Sequence, residues 1–485
     1  MPDSTEDKIV LTPDSADTAS TAPDASADRS NRAVNLQAPK GMRDFYPEEM
    51  AWRRHLEKTW REVSIRHGFD EVEGPTFEML ELYTMKSGEG IVSELFAFKD
   101  RGDRDLALRP EFTPTLARMV KSRAASLPRP IKWFAIPLHY RAERPQRGRL
   151  REFIQWNVDF LGDDSPQADV EVLAVAIDLL AELGLTREIV RVRLSHREAV
   201  SNVLRSLGLN DEQLQPAFNL LDRKDKVTPD EFNTQAREIG LSDDAVARFG
   251  EIAQINIGAD APWEQIVSRL GIPEEDATQL RGVYDAIRQA GLEGWCEFDL
   301  GIVRGLAYYT GMVFEIHEAT GKERAIAGGG RYDRLIESFG GPSIPACGFG
   351  MGDVVLSLVL QDHQLLPGYE DLRPTPDVFL LSTGDSRAEA MLPRMLLDLR
   401  RAGVHARRSY RSTRNVGKLL KEASASGARY ALILGKELEE DHVVMKDLKA
   451  GEQSMLSVPK VAEEVLRRFG RFSARGLAGP RAFDL

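Results

Sequence analysis

Apolar residues recur at spacings of four and three through Trp52, Leu56, Trp60 and Val63. That period predicts an amphipathic helix, which Gly68 ends. ELFAFKD (94–100) and DLALRPEFTP (105–114) read as a hairpin-like pair, with a helix from Thr113 to about Ser122. IKWFAIPLHY (131–140) and VDFLG (158–162) are dense in apolar, β-branched and aromatic residues and read as strands. Ser165-Pro166 supplies an N-cap and a first-turn proline, and Gly184 the stop, for an apolar helix between them. VRVRLS (190–195) alternates and reads as a strand.

The texture changes from about 199 to 292. Helical periods and acidic caps with few β-branched runs predict an all-helical, hydrophilic insertion. Strand signals resume at CEFDLGIVRGLAYYTGMVFEIHE (296–318), AIAGGGRYD (325–333) and ACGFGMGDVVLSLVL (346–360). Pro367, Pro374 and Pro376 mark a linker. Beyond it DVFLLS (377–382), GVHARRSY, ARYALILG (428–435) and HVVMKDL (442–448) alternate with helical stretches, and a last helix covers about 458–469. This predicts a small α/β domain with a mainly parallel sheet.

The chain has 485 residues, 42% of them hydrophobic, which suffices for several cores. Residues 1–37 are rich in Asp, Ser, Thr, Ala and Pro without period or apolar run, so a disordered acidic leader is expected. A flexible tail is expected at 471–485. Two cysteines, Cys296 and Cys347, imply neither a disulfide framework nor a cysteine zinc site and fit a reducing cytoplasm. No apolar run is long enough for a membrane span. The net charge of −12 means that any nucleic-acid contact uses a local basic patch.

Such patches exist. Residues 141–159, RAERPQRGRLREFIQWNVD, carry Arg141, Arg144, Arg147, Arg149 and Arg151 between two strands. Guanidinium forks at such a loop suit a polyphosphate; the competing reading is a solvated hairpin. Gln155, Asn157 and Asp159 fall on one face of a strand, with Trp156 and Val158 on the other. Burying three polar groups unpaired would cost about 1–3 kcal/mol each, so that face is solvated or lines a polar pocket. Glu111 and Thr113, placed at a strand end, suit an α-ammonium group, or equally the cap of the next helix. RGLAYYTG (304–311) offers Arg304 and Tyr309, and AGGGRYD (327–333) lets a ligand approach backbone closely. Residues 400–421 hold Arg400, Arg401, Arg407, Arg408, Arg411, Arg414, Lys418 and Lys421 and no acid, with Tyr410 available to stack on a base.

From GMRDFYP (41–47) to the last helix, the order of these segments resembles the class II aminoacyl-tRNA synthetases, and within them the histidyl-tRNA synthetase family. GFDEVEGP (68–75) resembles motif 1, the arginine loop motif 2, and RGLAYYTG and AGGGRYD the two signatures of the histidine family. The resemblance implies an α/β (α+β) fold: an antiparallel-sheet catalytic domain at 38–370 with the helical insertion, and an anticodon-binding domain at 375–470. It implies ATP-dependent activation of L-histidine and charging of tRNA(His), with Mg²⁺, in a cytoplasmic homodimer built on the 41–160 region, where motif 1 and the apolar Trp52/Trp60 stripe would supply the dimer surface. Glu111 and Thr113 would hold the amino end of histidine, with Phe112 between them also counted among the histidine-binding residues. Arg141 would grip its carboxylate and the ATP α-phosphate, and Gln155 would also touch the amino acid. Asp159 and Tyr309 would read the imidazole, with Tyr308 also counted among the histidine-binding residues. Arg304 would be the catalytic cation, Glu143 would lie by the adenine, and Arg149 and Arg331 near the outer phosphates. Arg407, Arg408, Arg411, Arg414 and Lys418 would bind tRNA.

Neutral imidazole presents one donor and one acceptor, which a carboxylate and a phenol complement. Attack of a carboxylate on the α-phosphorus needs positioning and charge neutralisation rather than a protein nucleophile. Phe112 and Ala307 stand where the family has glycine and aspartate. In GFGMGDVVL (348–356), Asp353 and Val354 depart from motif 3, and Val355 stands where its phosphate-clamping arginine is expected, with Arg149 or Arg331 as substitutes. Two other readings remain: a non-catalytic paralogue such as an ATP phosphoribosyltransferase regulatory subunit, and a tRNA-binding module using only the basic C-terminal region.

Overall fold

The structure is a computed structural model that describes residues 36–85, 94–271, 274–303, 308–411, 413–470, 472–473 and 476–477. The leader up to residue 35, most of the tail, and Arg304 and Ala307 lie outside the described residues.

Helix α1 (Pro47–Arg66) is the helix predicted by the tryptophan stripe. Strands β1 (Asp70–Glu71), β2 (Phe77–Met79), β3 (Ala97–Lys99) and β4 (Asp105–Leu108) follow. β2, β4 and β3 form a small antiparallel sheet. The helix Thr113–Arg123 then leads to β5 (Ile131–Ala135), β6 (Leu138–Tyr140) and β7 (Glu152–Leu161). IKWFAIPLHY is therefore two strands, broken at Ile136-Pro137, because proline has no N–H for the ladder. The helix Pro166–Glu182 and β8 (Val190–His196) come next.

Among the described residues, six helices of at least eight residues fill the insertion, from Arg197–Ser206 to Thr278–Gln289. Capping boxes at Asn210 with Gln213 and at Thr228 with Glu231 start two of them. The module is not all helical: β9 (Asn256–Gly258) pairs with β10 (Cys296–Asp299) and stitches it to the main sheet. Three residues ending in glycine carry too little alternation to announce a strand.

β11 (Met312–Glu318), β12 (Ala327–Arg331) and β13 (Ala346–Gly352) complete a ten-stranded sheet. Its order is β1-β5-β7-β13-β12-β11-β8-β10-β9, with β6 on β7. Only β1–β5 and β8–β10 are parallel. One face is apolar. Trp156 stacks on Trp60 of α1 at 6.0 Å and meets Phe349 edge-on at 5.1 Å, and its indole N–H donates to Ser64 at 2.9 Å. Trp60 is fully buried, and Trp52 bonds Ser357 at 2.9 Å. The tryptophan stripe thus fastens α1 to the sheet and is not the dimer surface it was read as. On the small sheet Phe77 (50%), Met79 (44%) and Phe98 (43%) are exposed.

The C-terminal sheet runs β15 (Ala406–Arg408), β14 (Val378–Ser382), β16 (Tyr430–Leu434), β17 (His442–Asp447), β18 (Gln453–Ser457). It is mixed, not mainly parallel: β14 is parallel to both neighbours, and β16–β17 and β17–β18 are antiparallel. The 435–441 connection is shorter than the dozen or so residues a parallel crossover needs.

Arg331 also departs from expectation. Its guanidinium pairs with Asp169 at 2.9 Å and Asp333 at 3.1 Å and donates to the carbonyls of Asp163 and Ser165 at 3.1 Å each. Burial pushes Asp169 up to about 6 even against this partner. All this ties β12 to the start of the helix Pro166–Glu182, which leaves no donor aimed at the cavity described below. Arg331→Met should therefore act on folding. Stranding Asp169 should lower stability by about 3–5 kcal/mol, measured by denaturant titration. Near-wild-type stability with a tenfold weaker use of ATP would restore Arg331 to the phosphates.

Candidate active site

Residues paired across neighbouring strands share a face of the sheet. Asp159 of β7 pairs with Gly348, Gly348 with Gly330, and Gly330 with Val313. One step along, Asn157 pairs with Gly350, Gly350 with Gly328, and Gly328 with Glu315; Gln155 pairs with Gly352. Five glycines on β12 and β13 therefore make a floor without side chains. The polar residues of β7 wall one side and those of β11 the other.

The bareness is required. A Cβ on Gly348 would collide with the Asp159 carboxylate, and one on Gly350 would lie 2.8 Å from Gln155 Cδ. Above part of this floor lies a cavity of about 450 Å³, walled among others by Arg141, Glu143, Arg149, Gln155, Arg324 and Val355.

At the cavity's arginine wall, Arg141 Nε donates to Pro110 O at 3.1 Å, and its guanidinium lies 5.2 Å from the Phe153 ring. Arg149 pairs with Glu143, whose side chain is buried. The loop turns at Gly148 (φ +74°), a conformation that favours glycine. Arg147 points away to Glu323 at 2.6 Å. Glu94, which the sequence did not single out, is pushed up to about 7 by burial and by its contact with Glu143.

Asp159 lies at the other end, 4% exposed, and accepts a hydrogen bond from the Tyr332 hydroxyl. The phenol beside it is thus Tyr332, not Tyr309 as expected. Tyr309 is buried in an apolar cluster with Phe112 and Val313, its ring 4.9 Å from that of Tyr308. Tyr308 donates to Glu111 at 3.2 Å and meets Tyr332 edge-on at 6.0 Å. Glu111, Tyr308, Tyr332 and Asp159 form a continuous chain. Glu111 does not sit at a strand end, since β4 stops at Leu108, and the N-cap residue of the helix that starts at Thr113 is Phe112. Phe112 is 1% exposed, so its side chain is core and cannot face a ligand.

Val355 puts an apolar side chain on the cavity wall, at the position where motif 3 would carry its arginine. Asp353 is explained by Arg43 of GMRDFYP, which it binds at 2.7 Å while accepting from Ile154 N at 3.0 Å.

In the C-terminal sheet, the Arg408 guanidinium lies 4.4 Å from the Tyr410 ring, which is 75% exposed. Arg407, Arg411, Arg414 and Lys418 are exposed. Arg411 approaches Glu422 at 3.4 Å, an acid just past the basic run.

The family model for histidyl-tRNA synthetase matches residues 41–352, and that for the anticodon binding domain matches 377–468. The histidine–tRNA ligase of Opitutus terrae is 40% identical over 420 residues, covering 86% of this chain and 94% of its own. The chain belongs to the histidyl-tRNA synthetase family. The histidine–tRNA ligase of Haloarcula marismortui is 42% identical over 425 residues, 87% of this chain and 95% of its own. The fold is that of solved histidyl-tRNA synthetases. The Nostoc enzyme superposes with a TM-score of 0.70 (22% identity, 90% of this chain, all of its own), and the apo Staphylococcus aureus enzyme with 0.66 (24%, 89%, all of its own).

Burial raises Asp159 to about 7, and the Tyr332 hydroxyl offsets only part of that rise. A carboxyl raised in the fold stabilises while protonated. Its contribution is complete below the ordinary carboxylate pKa near 4 and is lost as pH rises through about 7. Between pH 5 and 8 the ligand-free protein should lose up to a few kcal/mol of stability that Asp159→Asn does not lose. Denaturant titrations across that range check this; parallel curves for the two proteins would contradict it.

Proposed function

We propose that the cavity condenses L-histidine with ATP to histidyl-adenylate and that the protein passes the histidyl group to tRNA(His). The observation that carries the reading is the polar strip on β7, which joins a buried acid–phenol pair at Asp159 to an arginine-walled cavity at Gln155. Imidazole can donate one ring N–H to the Asp159 carboxylate, and a side chain lacking that N–H would strand a buried acid, a strong basis for rejection. Tyr332, already bonded to Asp159, holds the acceptor in place. Glu111, steadied by Tyr308, takes the α-ammonium group with Thr113 beside it. Gln155 touches the amino acid at the junction.

The histidine carboxylate then attacks the α-phosphorus and pyrophosphate leaves. Arg141 neutralises the charge that gathers there, and Arg304 keeps its role as second cation. Arg149, oriented by Glu143, serves the nucleotide side. Preorganised cations of this kind lower the barrier without forming a covalent intermediate.

Magnesium belongs to this reading as an ion carried on the ATP phosphates. The described residues include no group of three acidic, histidine or cysteine side chains able to cage a metal, and magnesium commonly uses substrate phosphates instead. No step is assigned to it. No helix among the described residues is long and apolar enough to cross a membrane, and the cytoplasm is the proposed compartment.

A homodimer completes the proposal. Phe77 and Phe98 meet edge-on at 5.9 Å on the open small sheet, next to Met79. A second copy would cover them, with an interface of at least about 2,000 Å² if the dimer is obligate. Sedimentation at micromolar concentration should give the dimer mass, and a monomer would oppose it. Arg407, Arg408, Arg411, Arg414 and Lys418, with Tyr410, supply cations and a stacking ring for the tRNA. The paralogue reading explains neither the arginines that wall the cavity nor the matched anticodon-binding segment.

Pyrophosphate exchange and charging test the whole reading together. Exchange should require histidine and fail with other amino acids. Combined Arg411→Glu and Arg414→Glu should cut charging at least tenfold, with a weaker salt dependence, and leave exchange intact. Absence of histidine-dependent exchange in the folded protein would overturn the function. Equal loss of exchange and charging in the double variant would overturn the division between the domains.

A further inference from the structure

The cavity holds one guanidinium with no job so far. Arg324 precedes β12 and lines the wall. Of the three cavity arginines, Arg149 is paired with Glu143 and Arg141 is held by Pro110 O. Arg324 has no hydrogen-bond or ion-pair partner among the described residues. Its position is nonetheless fixed. The neighbouring Glu323 carboxylate, 4% exposed, is locked to Arg147 of the arginine loop at 2.6 Å, and Arg147 and Lys322 both reach Asp362, at 3.2 and 2.5 Å. Desolvation, then Arg149, pull the Arg324 pKa below the ordinary arginine value. An anion there would offset the repulsion from Arg149.

Arg324 also has a telling neighbour. A Cβ built on Gly148 would lie 3.4 Å from Val355 Cγ2 and 3.6 Å from Arg324 Cδ. The two side chains therefore flank the same point under the tip of the arginine loop. Val355 puts methyl groups there, and Arg324 runs past it into the cavity.

We infer that Arg324 grips the outer, β- and γ-phosphates of ATP, from the loop before β12, in the space that Val355 leaves without a charge. The inference rests on the proposed use of ATP and adds the residue that holds the far end of the triphosphate. A free, planar, permanently charged fork on an anchored loop is suited to paired phosphate oxygens. Arg149 and Arg331, the candidates the sequence offered, are less available, the one sharing its charge with Glu143 and the other buried with Asp169.

Nucleotide binding by calorimetry separates this inference from the reading beneath it. Wild-type protein should bind ATP more tightly than AMP; failure to bind ATP would defeat the function itself. Arg324→Ala should weaken ATP binding by about 10- to 100-fold, the worth of a charged hydrogen bond of about 1.5–3 kcal/mol, and leave AMP binding unchanged. Arg324→Lys should recover part of the loss. The double variant Arg324→Ala with Val355→Arg should recover more, because the new guanidinium starts beside the same point. The inference falls if Arg324→Ala binds ATP as the wild type does, if ATP and AMP weaken equally, or if Val355→Arg restores nothing. Arg324 is an exposed loop residue, so the substitution leaves the fold intact.

Discussion

The site depends on a sheet face from which side chains have been removed. Gly328, Gly330, Gly348, Gly350 and Gly352 share one face of β12 and β13, and the Asp159 and Gln155 side chains lie in the volume that side chains there would fill. A protein interior is packed densely enough that such a hollow persists only if its walls are held from outside. The opposite face does this. Trp156, Trp60, Phe349 and Phe314 form a run of touching rings behind the glycine floor, so the strand that bears the polar strip is pinned by its alternate residues. One strand thereby serves the core and the chemistry at once, by the two-residue period of its side chains.

The rim is held by segments distant in sequence. Gly41 O accepts from Arg151 N at 2.8 Å, and two residues on Arg43 binds Asp353 at the end of β13. Glu323 holds Arg147 on the other side. The arginine loop is thus clasped by the segment at Gly41 and Arg43 and by the loop before β12. Asp353, an oddity in motif 3 as sequence, is the anchor of one clasp. Val355, the other oddity, opens space beside Arg324.

Much of this was legible. The period of α1, the loop of arginines, and the face shared by Gln155, Asn157 and Asp159 follow from spacing and chemistry, and the apolar residue at 355 from the resemblance to motif 3. What was not legible depends on contacts between distant residues. Tyr332 and Tyr309 are equally plausible phenols in sequence, and only strand register decides that Tyr332 reaches Asp159. Arg331 looks like a phosphate ligand until Asp169, far away in the chain, takes it. Arg324 sits in a plain stretch, GKERAI, and gains meaning from Gly148 and Val355 alone. The tryptophans of α1 looked like an interface because an apolar stripe does not say whether its partner belongs to the same chain. The glycine floor was visible only as two glycine-rich runs; their shared face needed the pairing of β12 with β13.

The most direct measurement is histidine-dependent pyrophosphate exchange by Gly348→Ala. A single methyl there meets the Asp159 carboxylate and lies 2.6 Å from Val158 O, so acid and strand must both give way. A displacement of about 1 Å at a positioning group can cost on the order of 10² in rate. The account predicts a loss of that size in kcat/KM for histidine, with ATP binding kept. Gly250→Ala, at a helical position with nothing within 4 Å of the added methyl, should exchange as the wild type does. A folded Gly348→Ala protein that uses histidine normally would show that the bare floor and the acid above it are not where the amino acid is read.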